Sequence, residues 1–277
     1  MVALNLPSIQ MSDVRHGTTL ILDIDETLLH SRFSFLNKFE GTWLRPGVRS
    51  FIQHIKRLGF ELAIFTAAEE TYANGVLALL PDKLIDMKLF RQHTRQIQNG
   101  SGCSRVKDLN LVGRPLHKCL IVDNLQESFC FQPDNGIQIH EFRGDEKDTQ
   151  LLYLLFWLDL YVQSGLSVPD FIKKYRHYIR STVGRRPHVQ WLPPFTLSKA
   201  SLEFGREVLG DTKADRLIKH QDSLRSALMM PIASPPPTTT VGDSNEVTES
   251  CCQCSKQDCG LMKLNVLVEL SSVFGFH

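Results

Sequence analysis

The chain has 277 residues with a formal net charge of +1, and 42% of its residues are hydrophobic. This length suits one large domain or one domain with an extension, and it allows a sizeable core. The balanced charge excludes a general electrostatic attraction to nucleic acid or to membrane surfaces. The seven cysteines are unevenly spread, and Cys119 lies in an apolar run. We therefore expect reduced thiols and a cytoplasmic or nuclear protein rather than a disulfide framework.

Two segments bear on membrane targeting. Residues 1–7 lack both a basic flank and a long apolar stretch, so we expect no signal peptide. The most apolar run, residues 151–162, is too short to cross a bilayer and is interrupted by Asp159. We predict a core helix here that begins at Asp148 and Thr149, and no transmembrane segment.

The first predicted strand, residues 20–22, ends at two carboxylates, Asp23 and Asp25. Side chains two positions apart on a strand point to one face, and open α/β sheets keep their ligand sites at the carboxyl ends of strands. Two anions held this close require a cation or a proton between them. The pair therefore indicates a bound metal, one protonated carboxyl, or each of these at a different step. Aspartate also acts as a nucleophile in phosphoryl transfer, with a second carboxyl as general acid and base.

A predicted helix separates the first strand from the second. Its apolar positions recur three and four residues apart and are Val48, Phe51, Ile52, Ile55 and Leu58. Pro46 and Gly59 mark its two ends. The second strand, residues 60–65, ends at the hydroxyl of Thr66. A strand, a helix and a further strand form a βαβ unit, which predicts a parallel sheet.

Three short elements are predicted before the third strand. They are a helix over residues 69–80, a strand over 87–90 and a hairpin turn over 99–102. The hairpin is followed by a single cation, Lys107, in the segment Val-Lys-Asp-Leu.

The third apolar strand, residues 119–122, ends at Asp123 and Asn124. Taken singly, Thr66 could be a helix N-cap, Lys107 a solvated charge, and Asp123 with Asn124 a turn. Together with the two aspartates of the first strand, and in this order, they form a constellation able to hold Mg²⁺ and a phosphate.

The last third of the chain has weaker patterns. One helical stripe consists of Phe171, Ile172, Tyr175, Tyr178 and Ile179, with Lys173, Lys174, Arg176 and Arg180 on the other side. A docked helix with a solvated basic face is favoured over a phosphate-binding or membrane-surface patch. A further helix is predicted from Ser198 to about Met229. Residues 231–250 have the composition of a disordered linker.

A cysteine cluster follows this linker and consists of Cys251, Cys252, Cys254 and Cys259. It lacks the paired Cys-x-x-Cys spacing of a zinc knuckle. Zinc binding and palmitoylation are alternatives to a loosely ordered tail, which is the favoured interpretation.

The motifs together resemble those of the haloacid dehalogenase (HAD) superfamily. The segments are residues 23–31 (DIDETLLHS), 43–48 (WLRPGV), 61–67 (ELAIFTA), 106–109 (VKDL), 121–124 (IVDN), 131–137 (FQPDNGI) and 144–149 (GDEKDT). The whole set is similar to the FCP/SCP-like, NLI-interacting-factor-like branch, whose small phosphatases act on the carboxy-terminal domain of RNA polymerase II. The resemblance implies a HAD-like, doubly wound, mostly parallel α/β sheet without a large cap domain.

The resemblance also implies a role for each catalytic side chain. Asp23 would attack phosphorus and form an aspartyl-phosphate. Asp25 would protonate the leaving oxygen and then take a proton from the attacking water. Thr66 and Lys107 would hold the non-bridging phosphate oxygens.

The implied cofactor is Mg²⁺. It would be held by the Asp23 carboxylate, the backbone carbonyl of Asp25 and the side chain of Asn124. Asp123 would lie behind these ligands and orient their waters or Lys107.

The chain departs from the family pattern at the rim of the site. Leu125 and Gln126 follow Asn124, where the family commonly has Ser-Pro, and Ala68 stands where a glycine is common. None of these positions supplies a catalytic group. The segment 31–45 is shorter than in the polymerase phosphatases and the segment 91–105 is longer, so the rim loops bear on substrate identity.

The spacing of the motifs leaves no room for a lid. A cap domain needs about 50 residues or more, and neither the segment 28–43 nor the segment 66–107 has that many to spare. An open site favours a phosphate carried on a protein segment. We therefore expect an Mg²⁺-dependent protein phosphatase for phosphoserine and phosphothreonine, with phosphotyrosine as an alternative. A small-metabolite phosphatase and a catalytically silent binding or scaffold protein are the competing hypotheses.

The predicted organisation has three parts. Residues 16–165 form the phosphatase domain, residues 166–230 a helical extension of unassigned role, and residues 231–277 the linker and cysteine-containing tail. The sequence does not indicate the oligomeric state.

Overall fold

The central strand, β1 (Thr19–Leu22), consists of four consecutive buried residues, as expected for a strand covered on both faces. The computed structural model describes residues 17–33, 39–99, 102–183, 198–212 and 215, all within the compact unit Met1–Leu217. The predictions for the linker at 231–250 and for the cysteine cluster lie outside the described residues.

Eight further strands and five helices complete the described fold. The strands are β2 (Leu29–Phe33), β3 (Phe39–Leu44), β4 (Glu61–Phe65), β5 (Met87–Leu89), β6 (Arg95–Asn99), β7 (Gly102–Val106), β8 (Cys119–Asp123) and β9 (Gly136–Gln138). The helices are α1 (Val48–Arg57), α2 (Glu70–Leu77), α3 (Gln150–Ser164), α4 (Val168–Thr182) and α5 (Lys199–Leu209).

Five strands form one parallel sheet in the order β5-β4-β1-β8-β9. Leu22 on β1 is level with Ile64 on β4 and with Val122 on β8. Asp23 therefore lies between the carboxyl ends of the two neighbouring strands. The parallel α/β sheet predicted from the βαβ pattern is confirmed.

The two faces of the sheet are covered by different parts of the chain. Ile21, Ala63, Phe65, Ile121 and Phe129 belong to one fully buried apolar cluster. α3 contacts α1, α4 and α5, and its apolar residues are buried along almost its whole length. The helices and loops thereby hold the strand ends in a fixed arrangement.

Two hairpins stand beside the central sheet. β2 and β3 pair antiparallel with a register shift between Arg32 and Phe33, and β6 and β7 pair up to Asn99 and Gly102. The first hairpin occupies most of the segment 28–43, for which no strand is predicted from the sequence, because backbone pairing across this segment does not require an apolar alternation. The hairpin predicted around 99–102 is confirmed by its strands, while residues 100 and 101 lie outside the described part.

α3 begins as predicted, at Asp148 and Thr149. Thr149 occupies the N-cap position, and Oδ1 of Asp148 accepts a bond of 2.9 Å from the amide of Gln150. Asp159, which interrupts the apolar run, is buried and accepts bonds from the Ser198 amide (2.6 Å) and the Ser201 hydroxyl (2.8 Å). A buried carboxylate of α3 thus binds the first turn of α5.

The helix predicted from Ser198 to Met229 is interrupted much earlier. α5 ends at Leu209, and the next residue, Gly210, has a φ of +77°. This left-handed conformation suits glycine and breaks the helical hydrogen-bond ladder. Residues beyond 215 lie outside the described part.

α4 docks by its apolar stripe against the edge of the sheet, with one exception to the prediction. Phe171, Ile172 and Ile179 are buried, whereas Tyr178 is exposed. On the basic side, Lys173 and Arg176 both form ion pairs with Asp134. Within the described residues, no helix is both long and apolar enough to cross a membrane.

Candidate active site

The side chain of Lys107 lies between the carboxyl ends of two neighbouring strands. Its ammonium group donates bonds of 2.5 Å to Oδ1 of Asp23, after β1, and to Oδ2 of Asp123, at the end of β8. The backbone amide of Lys107 donates to the carbonyl of Ser128 at 2.7 Å. Lys107 is 2% exposed. Three of the predicted site residues are therefore in direct contact.

Burial sets the electrostatics of this cluster. It raises the pKa of Asp23 to about 7, and the ammonium group of Lys107 opposes that rise. Burial also disfavours the charged form of Lys107, but Asp123 and Asp23 outweigh it, so the pKa of Lys107 is above its ordinary value. Lys107 thus stays charged, whereas burial disfavours the ionised form of Asp23. A further cation would stabilise the cluster.

Asp25 has different surroundings from Asp23. Oδ1 of Asp25 accepts a bond of 2.6 Å from the hydroxyl of Tyr72 in α2. Burial raises the pKa of Asp25, and the bond from Tyr72 partly offsets this effect. A carboxyl that is easier to protonate than an exposed one suits a general acid.

Thr27 links the residues that follow β1 to those that follow β8. Its hydroxyl group donates a bond of 3.2 Å to Oδ2 of Asp23 and lies 3.5 Å from Oδ1 of Asn124. The side-chain oxygen of Asn124 and Oδ2 of Asp23 therefore both lie beside the Thr27 hydroxyl group. The backbone turn that places Thr27 contains Glu26, which has a φ of +58°.

Thr66 is buried where β4 ends, beside the carboxyl end of β1. Its hydroxyl oxygen accepts a bond of 3.0 Å from the amide of Ala68, and its own amide donates to the carbonyl of Leu89. Thr66 is not the N-cap of α2, because that position belongs to Glu69. The structure thus places Thr66 at the expected strand end.

A buried arginine supports the loop that carries Thr27. Arg45 donates to the carbonyl of Thr27 at 2.9 Å and to the carbonyl of His140 at 2.7 Å. It also forms a two-pronged ion pair with Asp148, with both bonds at 2.8 Å. The guanidinium group thereby joins the loop after β1, the loop after β9 and the start of α3.

The side chains at the strand ends suit a hard divalent cation. The oxygens of Asp23 and Asn124 that share the Thr27 hydroxyl are of the type that Mg²⁺ prefers. The described residues contain no cluster of three or more His, Cys, Asp or Glu side chains placed to hold a metal. A site made from one carboxylate, one amide oxygen and one backbone carbonyl does not require such a cluster.

The family follows from a match over more than half of the chain. Residues 18–171 match the family described as NLI interacting factor-like phosphatase. The chain belongs to this family. The assignment agrees with the parallel sheet and with the carboxylates and lysine found together at its edge.

Named relatives of this family member include phosphatases and a translocase subunit. CTD small phosphatase-like protein 3 of Caenorhabditis elegans is 34% identical over 175 residues, covering 57% of this chain and 59% of that protein. Carboxy-terminal domain RNA polymerase II polypeptide A small phosphatase 2 of Homo sapiens is 37% identical over 152 residues, covering 49% and 54%. Mitochondrial import inner membrane translocase subunit tim50 of Emericella nidulans is 30% identical over 220 residues, covering 78% and 38%.

The chain spans about half the length of the curated phosphatase relatives it matches. Among solved structures, the RNA polymerase II CTD phosphatase Fcp1 of fission yeast covers 79% of this chain and 67% of its own. Its identity is 14% and its TM-score is 0.39.

Two side chains at the site were not singled out from the sequence. Thr27 lies inside the first motif, and Tyr72 lies in the first turns of α2. The motif alone gives no reason to separate Thr27 from its neighbours. The hydroxyl of Tyr72 could have been found from the sequence only by knowing how α2 lies against β1.

Proposed function

We propose that this chain is an Mg²⁺-dependent protein phosphatase that hydrolyses phosphoserine and phosphothreonine on protein segments. The supporting observation is that Asp23 and Asp25 have different partners at one edge of the sheet. Asp23 is bound by Lys107 and Thr27, whereas Asp25 is bound by Tyr72. Two carboxyl groups with distinct environments can act as nucleophile and as general acid.

In the first step, a carboxylate oxygen of Asp23 attacks phosphorus, and the bond from phosphorus to the leaving oxygen breaks. Asp25 donates its proton to that oxygen, so the product leaves as a neutral serine or threonine hydroxyl. Lys107, which already contacts Asp23, and Thr66 bind the non-bridging oxygens, where negative charge accumulates.

In the second step, the carboxylate of Asp25 takes a proton from water, and the water oxygen attacks phosphorus. The bond between phosphorus and Asp23 breaks, which releases inorganic phosphate and restores both carboxyl groups. Asp123 keeps Lys107 in place throughout, because it binds the same ammonium group.

The residues that would hold Mg²⁺ are the carboxylate of Asp23, the backbone carbonyl of Asp25 and the side chain of Asn124. The bound cation would offset the negative charge of the phosphate and of the buried carboxylates. Thr27 would keep two of these ligands oriented, since its hydroxyl lies beside both.

The described insertions favour a protein substrate. The segment after β1 forms the hairpin β2–β3, and the segment between β4 and β8 forms α2, β5 and the hairpin β6–β7. β5 belongs to the central sheet, and neither hairpin is large enough to form a separate cap domain of ~50 residues. A phosphorylated side chain on a protein segment can reach the strand ends without having to be enclosed.

A catalytically silent binding protein is the second candidate. The observation in its favour is the similarity to proteins named as the translocase subunit tim50. A silent binding protein does not require the reacting groups, whereas this chain carries all of those proposed here, namely Asp23, Asp25, Thr66, Lys107 and Asn124. Phosphatase activity is therefore the better supported function.

The experiment is hydrolysis of a generic aryl phosphate by the full chain, with Mg²⁺ and with a chelator. We expect activity that requires both Mg²⁺ and Asp23, so that Asp23→Asn abolishes turnover. Asp145→Asn, which changes a carboxylate outside the site, serves as the control and keeps activity. Activity in the chelator, or an active Asp23→Asn variant, would contradict the mechanism. Inactivity of the folded chain on aryl phosphate and phosphopeptides alike would support the binding protein.

A further inference from the structure

The motif at residues 131–137 (FQPDNGI) supplies no group to the mechanism above. It follows the loop after β8 and contains two buried amide side chains, those of Gln132 and Asn135. A buried amide group is costly unless its donor and its acceptor are both bound. The partners of these two side chains therefore indicate what the motif does.

Asn135 fixes the motif to the start of β8. Its Nδ2 donates to the carbonyl of Leu116 at 2.5 Å and to the carbonyl of Cys119, the first residue of β8, at 2.8 Å. The backbone amide of Asn135 donates to the carbonyl of Gln132 at 3.0 Å. Gln132 is thereby held in place relative to the strand that ends at Asp123.

Gln132 binds the two residues that follow Lys107. Its Nε2 donates a bond of 2.9 Å to Oδ1 of Asp108, and its Oε1 accepts a bond of 3.1 Å from the amide of Leu109. The amide of Lys107 itself donates to the carbonyl of Ser128 at 2.7 Å. The segment 125–132 therefore holds three successive residues, 107–109, by hydrogen bonds.

Asp108 is bound from the opposite side by the hairpin β6–β7. Nε of Arg95, on β6, donates a bond of 2.7 Å to Oδ2 of Asp108. Oδ1 also accepts bonds from the backbone amide and the side chain of Asn110, at 3.1 and 3.0 Å. The carboxylate is 6% exposed and the Arg95 side chain 48% exposed. Both oxygens of Asp108 thus fix the chain directly beside Lys107.

Lys107 needs this support because the parallel sheet does not position it. It follows β7, which belongs to a separate antiparallel hairpin. Its ammonium group lies at the end of a flexible four-carbon stem, and the bonds to Asp23 and Asp123 fix only that end. The backbone of residues 107–109 therefore sets where the ammonium group can reach when a phosphate arrives. A displacement of about 1 Å in such a group can cost about 100-fold in rate.

We propose that Gln132 and Asp108 are positioning residues for Lys107, and that they hold its ammonium group where the non-bridging oxygens of the phosphate bind. Arg95 completes the arrangement from the hairpin side. This inference rests on the proposed function, in which Lys107 binds the phosphate. Neither positioning residue touches the substrate.

The test uses Gln132→Met, which keeps the length of the side chain and removes both of its bonds. We expect kcat/KM for an aryl phosphate to fall about tenfold or more. The inhibition constant of inorganic phosphate should rise by a similar factor, because Lys107 binds the product as well. The Mg²⁺ concentration for half-maximal activity should not change, since the proposed ligands lie elsewhere. A purely structural defect would reduce the amount of active enzyme and leave the inhibition constant unchanged.

Two further variants complete the design. Gln163→Met is the matched control, because Gln163 also donates to a carboxylate, that of Asp159, at 3.0 Å. It lies on α3 and should keep the wild-type inhibition constant. Arg95→Gln removes one bond to Asp108 at a side chain that is half exposed, so the variant should fold. It should raise the inhibition constant by a smaller factor than Gln132→Met.

An unchanged inhibition constant in folded Gln132→Met would overturn the inference, as would an equal rise in Gln163→Met. If Gln132→Met does not fold, the same constant in Arg95→Gln decides. A wild-type chain that hydrolyses neither aryl phosphate nor phosphopeptides would instead overturn the proposed function. Crystal structures of the wild type and of the folded variant then decide the positioning role. Displacement of Nζ of Lys107 from Asp23 and Asp123 supports it, and an unmoved ammonium group overturns it.

Discussion

The hydroxyl of Tyr72 donates a hydrogen bond of 2.6 Å to Oδ1 of Asp25. The bond joins α2, which follows β4, to the loop that follows β1. It fixes the orientation of one carboxylate oxygen, and in the proposed mechanism the other oxygen transfers the proton. Tyr72 thus belongs to the site by its position, although it carries none of the chemistry.

Replacing Tyr72 by phenylalanine tests this role. Tyr72→Phe removes the bond to Asp25 and keeps the ring, so Asp25 can rotate away from the leaving oxygen. We expect kcat for aryl phosphate to fall about tenfold, which corresponds to the ~1.4 kcal/mol of a bond to a charged group. The melting temperature should stay close to that of the wild type. Tyr178→Phe, at an exposed position of α4, is the control, and equal rates for the two variants would disprove the positioning role.

The Thr27 hydroxyl provides a second test, directed at the metal. Thr27→Val keeps the shape of the side chain but removes the group that lies beside Asp23 and Asn124. Substitutions that disorient metal ligands typically cost 10–100-fold in metal affinity or activity. We expect the Mg²⁺ concentration for half-maximal activity to rise about tenfold or more. Thr27→Ser retains a hydroxyl and should behave like the wild type; a serine variant as impaired as the valine variant would point to packing instead.

Much of the sheet could be predicted because its central strands are short, continuous apolar runs. A short apolar run such as residues 119–122 is best interpreted as a buried strand when a turn and a βαβ pattern surround it. Parallel strands end at the same edge of the sheet, which places Asp23 and Asp123 within reach of each other. Lys107 instead follows β7 of a separate antiparallel hairpin, so this rule does not account for its position. These predictions depend on local pattern and on a simple rule of topology.

The features that the sequence did not predict depend on contacts between residues far apart in the chain. The hairpin β2–β3 has no clear apolar alternation, so its pairing could not be seen in the sequence. The bond between Tyr72 and Asp25 requires the packing of α2. Asp159 was recognised only as an interruption of an apolar run, because its partners Ser198 and Ser201 come some 40 residues later. Such pairs become visible only in three dimensions.

Asp159 is expected to determine whether α5 stays bound to the rest of the fold. Asp159→Ala leaves the amide of Ser198 and the hydroxyl of Ser201 without their acceptor. Loss of a partner for buried polar groups costs about 1–3 kcal/mol. Urea unfolding should show this decrease, and amide exchange within 199–209 should accelerate. Gln163→Ala removes another bond to Asp159 and should have the smaller effect; unchanged exchange in α5 would show that apolar contacts alone hold the helix.

A side chain at Gly136 is expected to destabilise the fold. A Cβ atom there would lie 2.1 Å from Cε2 of Phe129, a buried ring, so the ring or the strand must move. Overpacking of this kind costs about 1–3 kcal/mol. Gly136→Ala should lower the free energy of unfolding by this amount. The same substitution in a Phe129→Leu background should cost less, because the smaller side chain relieves the clash; identical costs in both backgrounds would rule out this contact as the cause.

The attachment of α4 should weaken in acid. Hydrogen bonding by Arg176, together with Lys173, lowers the pKa of Asp134 below its ordinary value. A carboxyl group whose pKa is lowered in the folded state stabilises the fold at pH values above its unfolded-state pKa of about 3.9. This contribution is lost as the pH falls through the folded-state pKa. Because the pair is partly exposed, the effect should be at most about 1 kcal/mol. Asp134→Asn should therefore lower the melting temperature slightly at pH 7 and leave it equal to that of the wild type in strong acid. Glu146→Gln, at an exposed position outside α4, serves as the reference. If Asp134→Asn lowers the melting temperature equally at pH 7 and in strong acid, the electrostatic origin is refuted.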